Sequence, residues 1–184
     1  MFIATESTPN PSTLKFLPGI ELHGGEAVEF TDLDVARERS PLAAALLAMG
    51  DVERVLIGQD FVSVTIAPGG ADWSALKPEV LGVLADQLAA GAPAMVSAAD
   101  DDPADDPADA DIVAQIRELL DTRVRPAVAG DGGDIVYRGF HEGVVSLRMK
   151  GACSGCPSST ATLKHGIENL LRYYVPEVTE VRAV

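Results

Sequence analysis

The 184-residue chain carries 28 Asp and Glu against 14 Lys and Arg, for a formal net charge of -14; only 5% of its residues are aromatic. That balance excludes a general binder of nucleic acid or anionic membrane, because phosphate surfaces call for a basic stripe. Two cysteines cannot build a disulfide scaffold or a four-thiolate site within one chain, and the longest apolar run, Leu42 to Met49, is far short of the roughly 20 residues of a membrane span. The opening residues lack a basic n-region and an extended apolar core, so a cytoplasmic protein with reduced thiols is expected.

The length allows one or two small domains, and the first half predicts a mixture of strands and helices. Phe2 to Glu6 and Thr13 to Leu17 are expected as strands, separated by the turn Thr8-Pro9-Asn10-Pro11. Ser40 suits a helix N-cap with Pro41 at the first helical position, and the Ala/Leu helix that follows stops at Gly50. Val52 to Ile57 and Phe61 to Ala67 predict a hairpin around Gly58-Gln59-Asp60. A helix from about Pro78 to Ala90 places Val80, Leu81, Leu84 and Leu88 along one face. This half shows no evident chemistry. His23 beside Gly24-Gly25 is read as a loop residue and Trp73 as a partly buried anchor, while Gly69-Gly70 lacks the spacing of a phosphate loop.

Charge divides the chain. Residues 1–90 hold 13 acidic and 5 basic side chains, residues 91–111 hold 7 Asp and no base, and residues 112–184 hold 8 acidic and 9 basic. The middle segment consists largely of Ala, Asp and Pro, with a tandem Asp-Asp-Pro-Ala-Asp. Proline removes backbone donors, the aspartates repel one another, and no side chain is large enough to build a core. The expected organisation is α+β: a domain over 1–90, a flexible acidic linker over 91–110 and a second domain over 111–184.

The second domain opens with a helix capped by Asp111 and striped by Ile112, Val113, Ile116, Leu119, Leu120 and Val124, which Pro126 is expected to break. Asp131-Gly132-Gly133-Asp134 then reads as a tight turn. Ile135 to Phe140 and Val144 to Lys150 are expected as strands, followed at once by Gly151-Ala-Cys-Ser-Gly-Cys-Pro-Ser-Ser159. Pro157 suits the first position of a helix, with Cys156 at its N-cap and Leu163, Ile167, Leu170, Leu171 and Tyr174 as its buried stripe. A last strand is expected over about Glu177 to Val184.

Cys153-x-x-Cys156 beside a helix N-terminus, with Arg148 and Lys150 just upstream, predicts two sulfurs turned to one point and biased towards thiolate. Two buried, inert cysteines are the bland alternative, which the polar, Gly-rich surroundings disfavour; three chemistries use such a pair. A thioredoxin-like redox couple is one, but too little chain follows Cys156 for the rest of that fold, and Ala152 stands where an aromatic is usual. A zinc site in an adaptor is the second; it needs four ligands, and His141, His165 or a second copy would have to complete it. The third is an iron–sulfur cluster held by four thiolates, two from each of two chains, which turns the cysteine count into an expectation of a homodimer.

The segments Asp131-Gly-Gly-Asp-Ile135, Gly151 to Ser159 and Thr162-Leu-Lys-His-Gly-Ile-Glu-Asn-Leu-Leu171 closely resemble the C-terminal domain of NifU, the Nfu-type module. The opening Phe2 to Phe16 is similar to the amino-terminal domain joined to that module in Nfu proteins, although Ala4 stands where Gln is expected. The resemblance implies a non-enzymatic iron–sulfur carrier that holds a [4Fe–4S] cluster at a dimer interface through Cys153 and Cys156. It also implies receipt of the cluster from upstream assembly proteins and delivery to apo-proteins, with neither nucleic acid nor membrane as a partner. In that family the Asp-Gly-Gly-Asp turn is a hallmark rather than a ligand set, and a structural turn is expected here too.

Overall fold

A computed structural model describes residues 2–91, 93–95, 105–155 and 157–184, with the backbone alone at 157–159. The chain divides into two compact units, Met1–Ala99 and Asp100–Val184. Helices and strands occur in both, as the α+β expectation requires.

The first unit is built on an antiparallel sheet of five strands: β1 (Ala4–Ser7), β2 (Thr13–Leu17), β3 (Val28–Phe30), β4 (Val52–Ile57) and β5 (Val62–Ile66), in the order β1-β2-β5-β4-β3. Register sets two apolar rows across it. Phe16, Val62, Ile57 and Val28 form one row, and Leu14, Val64, Val55 and Phe30 the other. Leu42 and Leu46 of α2 (Pro41–Leu47) and Leu76, Val80 and Leu84 of α3 (Trp73–Ala89) join those rows in one buried cluster. Alternation sends the intervening residues to the opposite face, where Lys15 pairs with Glu6 at 3.4 Å, Arg54 with Glu29 at 3.4 Å, and the Thr13 and Thr65 hydroxyls meet at 2.8 Å.

Several boundaries differ from expectation. The first strand begins at Ala4 rather than Phe2, whose side chain is exposed. The stretch between Gly19 and Ser40 holds β3 and α1 (Leu33–Arg39), neither of which the sequence reading placed. Helix α1 starts at Asp32, whose carboxylate accepts the Asp34 and Val35 amides at 2.9 and 3.0 Å. Helix α3 starts five residues before Pro78, because Asp72 already occupies the N-cap position and its carbonyl accepts the Ala75 and Leu76 amides. Trp73 is thus the first helical residue, partly buried, with its ring 6.1 Å from that of Phe16.

The acidic run expected as a linker over 91–110 is trimmed from both ends. Ala94 is buried in the first unit, where its carbonyl accepts the Ser40 hydroxyl. In the second unit, Asp105 accepts the Tyr137 hydroxyl at 2.8 Å and the Phe140 amide at 3.0 Å, and lies 3.9 Å from Arg117. Asp106 then caps a 3₁₀ turn over Pro107–Asp109 that leads into α4 (Ala110–Leu119). The rest of the expected linker, 92 and 96–104, lies outside the described residues.

Pro126 does not break the helix of the second unit. A π-wound turn over Leu120–Val124 joins α4 to α5 (Arg125–Gly130), with Pro126 in the first turn of α5. The wider i→i+5 winding carries the preceding carbonyls past a residue that has no amide to offer them. Strands β6 (Gly133–His141) and β7 (Val144–Gly151) form an antiparallel hairpin, and β8 (Glu180–Ala183) lies parallel to β7. A parallel return needs a crossover, which α6 (Pro157–Tyr174) supplies. The N-terminus of α6 therefore stands at the carboxyl end of β7. Ile135, Tyr137, Phe140, Val145, Leu147, Met149 and Val181 share a core with Ile116, Leu120, Val128, Ile167 and Leu171.

Candidate functional site

The site lies where the start of β6 meets the end of β7. Gly133 pairs with Gly151 across the hairpin, so the Asp131–Asp134 turn and the cysteine loop are brought side by side although some 20 residues of chain separate them. The Ala152 amide donates to the Gly132 carbonyl at 3.2 Å, and the Ser154 amide to the Gly151 carbonyl at 3.0 Å, which places Cys153 inside a tight turn. On the helix side, the Thr160 hydroxyl donates to the Cys153 carbonyl at 2.8 Å.

The four residues of the Asp-Gly-Gly-Asp turn have separate jobs. Asp131 is exposed at the end of α5. Gly132 adopts φ 76°, a left-handed conformation that disfavours side chains. Gly133 leaves room: a Cβ there would overlap the Cys153 sulfur and lie 3.0 Å from the Lys150 carbonyl oxygen. Asp134 is buried and takes both arms of the Arg125 guanidinium, Nε and Nη2, at 3.0 Å each, while its Oδ1 also accepts the Ile135 amide at 2.9 Å. Arg125 reaches on to Asp121 at 3.1 Å. With its oxygens committed in this way, Asp134 anchors α5 to β6 rather than standing ready as a ligand.

Cys153 is only 8% exposed and belongs to the core of the second unit. Burial, reinforced by the carboxylates of Asp131 and Asp134, pushes its thiol up to about 12. This reverses the expected bias towards thiolate. Arg148 and Lys150 alternate with the core residues Leu147 and Met149 and so belong to the sheet's other face, while the sulfur sits in the apolar layer. Cys156 lies outside the described residues.

His141 and His165, the candidate zinc ligands, stand apart from the cysteine turn. His141 ends β6, eight residues beyond Gly133 and about 27 Å along the strand, and is well exposed. His165 is exposed on α6, eight residues and about 12 Å beyond its start. His23 sits in the loop after β2, its amide 3.3 Å from the Gln59 carbonyl. Among the described residues, no three of His, Cys, Asp and Glu converge as a metal-holding group. Arg125, Thr160 and the fit of Gly133 to sulfur escaped the sequence reading. Each acts through a contact that only folding creates, and the one available signal was the position of Gly133 at the foot of a predicted strand.

Residues 3–91 match a family model described as the Nfu/NifU scaffold protein N-terminal domain, and residues 116–182 match the NifU-like domain. A human protein named "NFU1 iron-sulfur cluster scaffold homolog, mitochondrial" is 44% identical over 184 residues, covering 100% of this chain and 72% of its own length. The protein of the same name from Drosophila erecta is 47% identical over 188 residues; this chain spans 65% of its length. A solution structure of a NifU-like protein from Saccharomyces cerevisiae aligns with 53% of this chain and 87% of its own, at 29% identity and a TM-score of 0.47. No helix among the described residues is long and apolar enough to cross a membrane.

Proposed function

The chain belongs to the Nfu family of iron–sulfur cluster scaffold proteins, and on that premise we propose that it carries a [4Fe–4S] cluster between two copies of itself through Cys153 and Cys156. The cluster is cargo, and the protein is not an enzyme. The observation that carries this reading is the seat of Cys153: a sulfur in the turn between β7 and a helix N-terminus, against a glycine that leaves space for it. Four thiolates, two per chain, complete the coordination that such a cluster requires.

Cys153 is protonated at neutral pH in its buried position, so loading displaces a proton as iron takes the sulfur. A thiol held in that form is a poor attacking group for disulfide exchange at Cys153. Delivery is ligand exchange. A client cysteine takes the place of each scaffold sulfur in turn, and the departing sulfur regains its proton. The partners are apo iron–sulfur proteins downstream and cluster-assembly proteins upstream, and we assign their docking to the acidic first unit. The chemistry needs a reducing compartment. For this chain we retain the cytoplasm, the mitochondrion being the compartment named for its relatives.

Anaerobic reconstitution of the full chain with ferrous iron and sulfide tests the reading, with iron content, visible absorption and native mass measured together. The expected product is a coloured dimer with roughly two irons per chain, reverting to colourless protein on chelation. Cys153→Ser and Cys156→Ser should each abolish it. A full cluster on either single variant, or a colourless zinc-bound species from the wild-type chain, would overturn the assignment.

A further inference from the structure

Cluster carriage poses a problem of access. A sulfur that is to be shared with a second chain and exchanged with clients is turned into the protein's own core. Cys153 packs in one cluster with Ile135, Met149, Ile167 and Leu171, and its sulfur fills the space that Gly133 leaves. Something must hold the turn in this inward setting, and hydrogen bonds among the described residues brace it. Two are backbone bonds that complete the end of the hairpin: Ala152 amide to Gly132 carbonyl at 3.2 Å, and Ser154 amide to Gly151 carbonyl at 3.0 Å. Another comes from a side chain. Thr160, in the first turn of α6, donates its hydroxyl to the carbonyl of Cys153 at 2.8 Å.

We propose that Thr160 is a positioning residue for Cys153: its hydroxyl pins the Cys153 carbonyl to the first turn of α6 and keeps the thiol in its seat against Gly133, so that reaction at this sulfur waits on release of that bond. The inference rests on Cys153 being a cluster ligand, and it says how that ligand is presented. Fixing the carbonyl fixes the peptide plane after Cys153, and with it the swing that would carry the side chain outward. A partly exposed threonine is a poor choice for a helical position on propensity alone, since alanine there would favour the helix by several tenths of a kcal/mol. The hydroxyl gives the position a purpose.

The test uses the metal-free full chain and a small neutral alkylating agent, iodoacetamide, under reducing exchange-free conditions. Modification of Cys153 is resolved from that of Cys156 by peptide mapping. Loss of one neutral hydrogen bond predicts that Thr160→Ala and Thr160→Val raise the Cys153 rate roughly three- to tenfold. Thr160→Ser, which keeps the hydroxyl, should react at the wild-type rate. Thr160→Ala improves helix propensity, so faster reaction in that variant together with an unchanged unfolding midpoint separates local release from general loosening. Wild-type rates in both Ala and Val variants would overturn the proposal, as would a Ser variant as fast as Ala. Alkylation is read without iron, so failure here leaves reconstitution of the wild-type chain standing, and failed reconstitution leaves the latch measurable.

Discussion

Gly133 and Gly166 show how differently two glycines can be used in one small domain. A Cβ at Gly166, inside α6, would meet nothing within 4 Å, whereas at Gly133 it would overlap the Cys153 sulfur and lie 3.1 Å from the Cys153 nitrogen. Gly133→Ala is therefore expected to lower stability by about 1–3 kcal/mol and to cut cluster uptake, because the backbone atoms around it cannot yield as a flexible side chain could. Gly166→Ala should add about 0.5–1 kcal/mol through helix propensity alone. Urea midpoints of the two variants check both signs, and a Gly133→Ala protein as stable as wild type would rule out the tight seat. Cys153 itself links stability to pH. Its folded value is raised to about 12, above the roughly 8.5 of an unfolded thiol, so folding favours the protonated form. That contribution is complete below about pH 8.5 and is lost as the pH climbs towards 12. The unfolding midpoint, measured with reductant from about pH 8 to 10, should fall with rising pH, and Cys153→Ala should flatten the fall. Parallel slopes for the two proteins would contradict the burial of the thiol.

Charged side chains also join the elements of the second unit. Arg125 ties α5 to β6 through Asp134, and Glu168 of α6 accepts the Val181 amide of β8 at 3.0 Å. Asp105 does the same for the chain that precedes α4. Its carboxylate, 13% exposed, accepts from Tyr137 and from the Phe140 backbone, and Arg117 lies over the Tyr137 ring at 4.8 Å. Burial first, and the bond to Asp105 second, push the Tyr137 phenol well above the ordinary tyrosine range. Asp105→Ala is expected to cost about 1–3 kcal/mol by leaving two buried donors unsatisfied, and to bring the alkaline tyrosinate absorbance of Tyr137 to lower pH. An unchanged tyrosinate titration would show that the carboxylate does not dock there in solution. Nothing in the composition of the acidic run distinguishes Asp105 from its neighbours. Its role depends on Tyr137 and Phe140, which arrive beside it only when β6 forms.

The net charge of -14 belongs to parts rather than to the whole molecule, since residues 112–184 are nearly balanced and residues 91–111 carry 7 Asp without a base. This partition was legible in the sequence. So were strands β2, β4 and β5 and the Ser40-Pro41 helix start, because each is marked by local apolar pattern, turn residues or capping. The cysteine turn could likewise be placed between a strand and a helix from Gly151 and Pro157 alone. Strand β3 was not legible: three residues at a sheet edge give no period to read, and their pairing with β4 is a tertiary event. The continuation through Pro126 was hidden as well, since a proline stop is the local preference that the π-turn overrides. The sequence by itself thus carried the resemblance to the family, the charge partition and the Cys153-x-x-Cys156 pair as the candidate ligands. Only the tertiary structure decided the state of Cys153. Its burial and its contacts with Gly133 and Thr160 depend on a register and a core that bring distant residues within van der Waals reach, and that burial, with Asp131 and Asp134 beside it, raises the thiol's pKa.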